Sequence, residues 1–456
     1  MQAPLYLVVG LGKTGHSIAR YLKRRQLPFL MFDTRTQPAG LEAFHAEFPD
    51  VDIFLSELPE HYFEQLTAII SSPGVDLDQS SMKKAIAMGL PLYGDIECLA
   101  REIKAPVIAI TGTNGKSTVT TLVGEMARAA GLSVAVAGNI GTPVLDLLDD
   151  NHAYDLWVLE LSSFQLDLTQ SLKPVAATIL NVTPDHLDRH HTFEAYLSAK
   201  RKVYNHAKFS IYNRDDTFTL PIDKSQDVGT CSYQNSLLEQ ISFGLDAPEM
   251  GSWGLTIKDN TPYLTYGEIP FLSIHDLRIK GQHNWLNALA ACALAHAAGI
   301  DLSCLVDVLK QFPGLPHRSQ WVRTHLGVEW INDSKGTNIG ATMSAISGIG
   351  GSMQGKIVLI AGGQGKGADF RQLRDCVEQQ VRCVVLMGAD ADKLDTALAD
   401  IVPIRRAASL DEAVNLAAKE ARKGDVVLLS PACASLDMFR DFNHRGEVFT
   451  DVVNAL

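Results

Sequence analysis

Apolar runs of four to six residues recur along this chain, and most are followed by a stretch with helical spacing. The first cycle reads LYLVV at 5–9, an amphipathic segment near 14–25, then PFLMF, AIISS and PLYG. Short continuous apolar runs suit strands buried on both faces, and helices between them return the chain for parallel pairing. The pattern restarts at VIAIT (107–111) and continues through SVAVAG, LWVLE and AATILNV. Between about 226 and 280 it shifts to turn-rich alternating stretches such as GLTIKDNTPYLTYGEIPFL, which predicts antiparallel strands added to the central domain. NWLNALAACALAHAAG predicts a buried helix ending at Gly299. FPGLPH at 312–317 holds two prolines and a glycine and reads as a hinge. Beyond it KIVLIAGG, VRCVVLMG and DVVLLSPA predict a third set of strands.

The predicted fold is therefore α/β, with three domains in a row. Residues 1–94 form a Rossmann-like domain, 95–314 a central P-loop ATPase-like domain with a mostly parallel sheet, and 315–456 a second Rossmann-like domain. The length of 456 residues agrees, because single cores rarely grow past roughly 250–300 residues. A net charge of −12 argues against a nucleic-acid partner, which would need a basic surface. No apolar stretch approaches the ~20 residues that span a bilayer, and MQAPLYLVVG lacks the basic start of a signal peptide. Seven scattered cysteines with no C-x-x-C pair suggest reduced thiols in a cytoplasmic protein, without a zinc site.

Two glycine loops compete for the chemistry. GLGKTG at 10–15 follows the first strand with dinucleotide-loop spacing, and Asp33 stands where an acidic ribose partner is expected. GTNGKST at 112–118 also lies between a strand and a helix. Its lysine and hydroxyl residues at a helix N-terminus suit a triphosphate and Mg²⁺. The pattern is shorter than the usual P-loop, since position 110 is Ile110. Mg²⁺ prefers hard oxygen ligands, and open α/β sheets place ligands at strand C-termini. Candidates there are Glu160, ending LWVLE, and His186 within the polar cluster DHLDRHH. Lys200 in YLSAK reads as a surface lysine on helix statistics alone. GGQGKG is not a third P-loop, because no Ser or Thr follows Lys366. Cys433 has no base in its motif and reads as a small packed residue.

The set GTNGKST, LELSSFQL, NVTPDHLDRH, YLSAK, GQHNWLNALAA, GLPHR, INDSKGTN and SPACASLD resembles the Mur ligases of peptidoglycan synthesis, relatives of folylpolyglutamate synthase. The resemblance covers essentially the whole chain, and GGQGKGADF with SPACASLDMF favours the D-glutamate-adding branch. It implies an ATP-dependent amide ligase of cell-wall biogenesis that works through an acyl phosphate on a UDP-sugar substrate. It further implies a cytoplasmic monomer acting on small molecules, with ATP and two Mg²⁺ ions. Gly112, Thr113, Asn114, Gly115, Lys116, Ser117 and Thr118 would hold the ATP phosphates, with Ser117 or Thr118 on the first metal and Glu160 sharing it. His186 would hold a second metal with Lys200 carried as a carbamate. Asn284, in preference to Asn287, would lie at the adenine, Arg318 on the phosphates and Asp333 on the ribose. Lys335, Thr337, Lys366, Ser435 and Phe442 would hold D-glutamate and its acyl partner. Gly12, Lys13, Thr14, Thr34, Arg35, Ser72 and Asn139 would bind the UDP-substrate, GLGKTG cradling its pyrophosphate.

Four rivals fit the residues less well. An NAD oxidoreductase built on GLGKTG and Asp33 gives no task to GTNGKST, and a P-loop switch gives none to NDSKGTN. A folate-type ligase has no need of the first domain, and another Mur-family ligase would differ in its amino-acid pocket.

Overall fold

The computed structural model describes residues 4–456 apart from 151, 222–238, 280, 351, 352, 354 and 366. Three sheets carry the fold, which is α/β and mostly parallel as expected. By contact density the chain divides into two compact units. The first holds residues 1–256, 264–271 and 287–308, and the second holds 257–263, 272–286 and 309–456.

In the first unit, Tyr6–Val9 pairs in parallel with Phe29–Asp33 on one side and Ala68–Ser71 on the other. Ile53–Leu55 and Leu92–Tyr93 complete this five-stranded sheet. The apolar runs form strands because both faces are covered, by Ile18, Leu22, Phe44 and Phe48 on one and Phe63 and Met82 on the other. Helix Lys13–Arg24 starts directly behind GLG and buries one face on the sheet. Its outer face pairs Arg20 with Asp146 at 2.9 Å and Arg24 with Asp149 at 2.8 Å. Partly exposed pairs of this kind contribute roughly 0–1 kcal/mol each, so apolar burial dominates.

The nine-stranded central sheet begins at one edge with Val134–Gly138, Leu156–Glu160, Val107–Thr111, Ala176–Ile179 and Phe209–Asn213 side by side and parallel. The strand that ends in GTNGKST therefore lies between those ending at Glu160 and before NVTPDH. Glu239–Phe243 corrects one expectation: it pairs with Phe209–Asn213 in parallel, not antiparallel. The strand passes from exposed Glu239 and Gln240 to buried Ser242 and Phe243, and a pattern of polar and apolar positions says nothing of direction. The remainder of that expected stretch before residue 239 lies outside the described residues. The alanine-rich helix runs Gln282–Ala297 and stops before Gly299, whose φ is 92°.

The second unit is built on six strands. Val328–Asn332, Val426–Leu429, Ile357–Gly362 and Val381–Met387 are parallel neighbours, with Ile404–Arg406 beyond and Gln320–His325 antiparallel at the opposite edge. Leu428 is fully buried between two neighbouring strands. Leu428→Ala is expected to cost about 2–5 kcal/mol, seen as an earlier urea transition in the full chain. A midpoint indistinguishable from the parent would contradict this account of the core.

Candidate active site

The strand order of the central sheet gathers three strand ends. Ile110 is paired across the sheet with Glu160 and with Thr178, so the loop after Thr111 opens between LELSS and NVTPDH. Helix Lys116–Ala129 begins at Gly115, whose φ of 82° is left-handed. A Cβ there would also overlap the Asn287 carboxamide, so both backbone and space select glycine. Asn287 thus lies against the loop. Asn284 belongs to the second unit, where its N–H donates to the Gly281 carbonyl at 2.9 Å.

Neighbouring motifs strap the loop down. Thr113 N–H donates to the Asn181 carbonyl at 2.9 Å, and Asn114 N–H to Asn181 Oδ1 at 2.8 Å. Thr113 Oγ1 lies 3.1 Å from the Tyr196 hydroxyl. Asn181 and Tyr196 were not singled out in the sequence. The signal for Asn181 was its place at the strand end beside the loop; nothing local marked Tyr196. Ser117 and Thr118 are half-buried in the first turn of the helix.

Two lysines converge on one carbonyl. Lys116 Nζ donates to the Gly112 and Thr113 carbonyls at 2.8 Å each, and Lys200 Nζ donates to Gly112 at 2.9 Å. Lys200, on helix Phe193–Arg201, is 2% exposed, which overturns the surface reading given by helix statistics. Burial, and secondarily the Lys116 charge, push its amine down to about 7.

Glu160 is buried on the other flank. Its Oε1 accepts from Asn139 Nδ2 at 3.1 Å, while Oε2 is buried without a hydrogen-bond partner. Asn139, expected on the UDP-substrate, is thus placed with Glu160. His186 is exposed, with its ring edge-on to Phe164 at 5.2 Å and Nε2 3.6 Å from Asp185. Among the described residues no three His, Cys, Asp or Glu side chains converge as a preformed metal cage. A lone buried carboxylate oxygen still fits Mg²⁺, which keeps waters and phosphate oxygens as its other ligands.

The first loop borders a cleft of about 560 Å³, lined by Gly12, Lys13, His16, Arg20, Arg35 and Asp146 among others. Asp33 does not face it as a free acceptor. Its Oδ2 takes the Leu11 N–H and an Arg35 N–H at 2.7 Å each, and Oδ1 takes the Arg35 Nε at 2.8 Å. These bonds outweigh burial and hold the carboxyl below its usual range. The acid shapes the loop and presents Arg35 to the cleft. Thr14 is half-buried in the first turn of the following helix, and Thr34 is half-buried beside Arg35. Ser72 Oγ donates to the Gly10 carbonyl at 3.4 Å.

In the second unit the ends of Val328–Asn332, Val426–Leu429 and Ile357–Gly362 are adjacent. Asp333 accepts from Ser430 Oγ at 2.7 Å and from the Ser319 N–H at 3.0 Å, and burial raises it to about 6. Exposed Arg318 stands beside Ser319. Lys335 Nζ lies 3.8 Å from the centre of the Phe442 ring, so two of the expected amino-acid contacts meet. Half-buried Thr337 donates its N–H to the Lys335 carbonyl at 2.8 Å, and Ser435 is buried in the adjacent loop. Lys366 lies outside the described residues. Arg445, which the sequence did not bring forward, is buried and donates to Ser334 Oγ, the Ser334 carbonyl and the Cys433 carbonyl. It ties the NDSKGTN loop to SPACAS. Cys433 is a packed residue as expected, its thiol pushed up to about 12 by burial.

Comparison with known proteins agrees along the whole chain. Residues 5–94 match the Mur ligase MurD-like N-terminal domain, 110–295 the Mur ligase middle domain, and 317–433 the Mur ligase glutamate ligase domain. The UDP-N-acetylmuramoylalanine–D-glutamate ligase of Legionella pneumophila is 64% identical over all of both chains. That of Pseudomonas aeruginosa is 47% identical over 99% of this chain and 98% of its own. Among solved structures, a UDP-N-acetylmuramoyl-L-alanyl-D-glutamate–2,6-diaminopimelate ligase superposes with a TM-score of 0.60 at 20% identity, over 94% of this chain and 96% of its own. UDP-N-acetylmuramate-alanine ligase of Thermotoga maritima gives 0.57 at 16% identity, over 99% of each chain. These two distant structures share the fold. From its motifs, the strand order that assembles them and relatives that match from end to end, the chain belongs to the Mur ligase family.

Proposed function

We propose that this enzyme joins D-glutamate to UDP-N-acetylmuramoyl-L-alanine at the expense of ATP, as a cytoplasmic monomer. The observation that carries the chemistry is the convergence of Lys116 and Lys200 on Gly112, beside the unpartnered Oε2 of Glu160. The choice of substrates rests on relatives 64% and 47% identical whose names state them. In this reading 1–94 binds the UDP-substrate, 95–314 binds ATP and 315–456 binds the amino acid.

A carboxylate is a poor acyl donor because its leaving group would be oxide. Attack of the substrate carboxylate oxygen on the terminal phosphorus of ATP gives an acyl phosphate and ADP. The deprotonated amine of D-glutamate then attacks the acyl carbon and phosphate leaves, giving the amide. Negative charge accumulates on the transferring phosphoryl group and then on the tetrahedral oxygen, so fixed cations and N–H groups are needed. Within Gly112 to Thr118, the helix start Gly115 to Thr118 supplies the N–H groups, Thr113 and Asn114 spending theirs on Asn181 to shape the loop, with Lys116 a cation on the outer phosphates and Arg318 another. Asn287, against the loop, is the better placed of the two asparagines for the adenine side, while Asp333 serves the ribose.

Ser117, Glu160, His186 and Lys200 as a carbamate would hold two Mg²⁺ ions, and Mg²⁺ when bound supplies charge that offsets the phosphate oxygens. The burial of Lys200 supports the carbamate. A neutral amine adds to CO₂ and releases one proton, and burial beside Lys116 favours the neutral amine. The product carries a carboxylate-type group where a buried ammonium would repel a metal. Gly12, Lys13, Thr14, Thr34, Arg35 and Ser72 serve the UDP end, with Asn139 between that end and Glu160. Lys335, Thr337, Lys366, Ser435 and Phe442 serve D-glutamate.

Phosphate release with UDP-N-acetylmuramoyl-L-alanine, ATP and Mg²⁺ is expected to depend on D-glutamate within a panel of amino acids. Equal release with L-glutamate or diaminopimelate would overturn the assignment. Lys116→Ala should lower that release by at least about 100-fold, a loss typical of a cation aimed at developing charge. Measured by calorimetry without ATP or Mg²⁺, its affinity for the UDP-substrate should change less than about two-fold, since Lys116 lies outside the first glycine loop. Lys200 carries a test of its own. Its folded value of about 7 lies below the ordinary 10.5, so the amine is protonated below pH 7 and reactive above it. A ¹³C carbamate signal from ¹³C-bicarbonate should therefore grow from pH 6 to 8 and vanish in Lys200→Arg. Between pH 7 and 10.5 the unfolded chain holds more protons at this site, so Lys200 makes stability rise with pH across that window.

A further inference from the structure

Arg189 occupies a position that the reaction scheme above leaves unused. It lies on the short helix Leu187–His190, three residues past His186, whose φ of 51° is left-handed. Its Nη2 donates to the Val75 carbonyl at 2.7 Å and its Nη1 to the Gly74 carbonyl at 3.3 Å. Gly74 ends the SSPG turn (71–74) that closes the strand Ala68–Ser71, and Val75 directly follows it. The turn is fastened to the first glycine loop in two ways. Ser72 N–H donates to the Val9 carbonyl at 2.9 Å, and Val75 packs so close that a Cβ on Gly10 would lie 2.9 Å from its Cγ2.

On its other side the guanidinium carbon lies 4.7 Å from the centre of the Phe164 ring. Phe164 sits in helix Ser163–Asp167, immediately after the strand that ends in Glu160. The same ring meets the His186 edge at 5.2 Å and stacks on His190 at 5.1 Å with planes 8° apart. His190 is fixed in turn, its Nε2 lying 2.9 Å from Ser163 Oγ. One planar cation thus touches the turn behind the UDP-substrate loop and the aromatic ring that orients His186. Arginine suits this place because its plane covers a ring while its edge donates to two carbonyls, which a lysine ammonium does less well.

We propose that Arg189 is a positioning residue that couples occupancy of the UDP-substrate loop to divalent-cation binding at His186. A pyrophosphate seated on GLGKTG orders the turn at 72–75, and the turn holds Arg189, Phe164 and His186 in one arrangement. The coupling is reciprocal by linkage, so the nucleotide-loaded metal site strengthens substrate binding by the same factor. The inference rests on the proposed function and is tested without turnover.

Mn²⁺, bound in the presence of a nonhydrolysable ATP analogue, is titrated by electron paramagnetic resonance with and without UDP-N-acetylmuramoyl-L-alanine. The parent chain is expected to bind Mn²⁺ at least about five-fold tighter with the substrate present, the low end of ordinary coupling between sites. In Arg189→Met that ratio should fall to about one, with Arg189→Lys between the two and Phe164→Leu close to Arg189→Met. Melting curves identify folded variants, and Phe164→Leu carries the test if Arg189→Met does not fold. A parent ratio of one, or a full ratio retained in the folded variants, overturns the coupling while leaving the ligase reading intact. Failure of the parent to bind either the UDP-substrate or the ATP analogue overturns that reading as well.

Discussion

The carbonyl of Gly112 accepts from two ammonium groups at once, and much of the candidate site depends on that arrangement. Such a group sits inside a packed sheet only where strand ends diverge and polar groups can meet it. Lys116 reaches it within its own loop, whereas Lys200 arrives from a helix 84 positions further along the chain. Burial, and after it the neighbouring Lys116 charge, makes Lys200 give up its proton more easily, and its amine falls to about 7. The neutral amine is the form that the proposed carbamate requires.

Around that point the strand order does the assembling. Placing Val107–Thr111 between Leu156–Glu160 and Ala176–Ile179 brings the glycine loop, Glu160 and Asn181 to one edge. Asn181 then holds the loop through its backbone carbonyl and its side chain, which take the Thr113 and Asn114 N–H groups. The second unit follows the same rule. Asp333, Ser430 and Ser435 lie on loops after neighbouring parallel strands, and Arg445 pins two of those loops through carbonyl and hydroxyl acceptors. Burial lowers that guanidinium to about 10 yet leaves it charged at neutral pH, a fixed cation bonded to Ser334, the residue next to Lys335 in the chain.

Legibility from the chain alone was uneven for physical reasons. The two glycine loops were readable because strand, turn and helix start are local events, set by a few consecutive residues. The cysteines and the polar cluster DHLDRHH were readable as composition. Asp33 was visible but assigned the wrong partner in the dinucleotide reading. Its carboxylate is consumed by Leu11 and Arg35, and no spacing rule reports whether an acid's lone pairs are already taken. The strand Glu239–Phe243 was misjudged in direction because alternation encodes exposure of a face and carries no sign along the chain.

Spacing by itself determined where strands and helices begin and which loops open at helix N-termini, since each depends on contacts within a turn or two, and the alternation of those elements implied a mostly parallel α/β fold. The tertiary structure alone decided that Lys200 is buried on Gly112, that Asn287 lies against Gly115, and that Arg189 bridges the SSPG turn and Phe164. Those meetings depend on the order in which parallel strands are laid beside one another. That order is set by packing across crossovers tens of residues long, so it leaves no mark on the residues immediately around each partner.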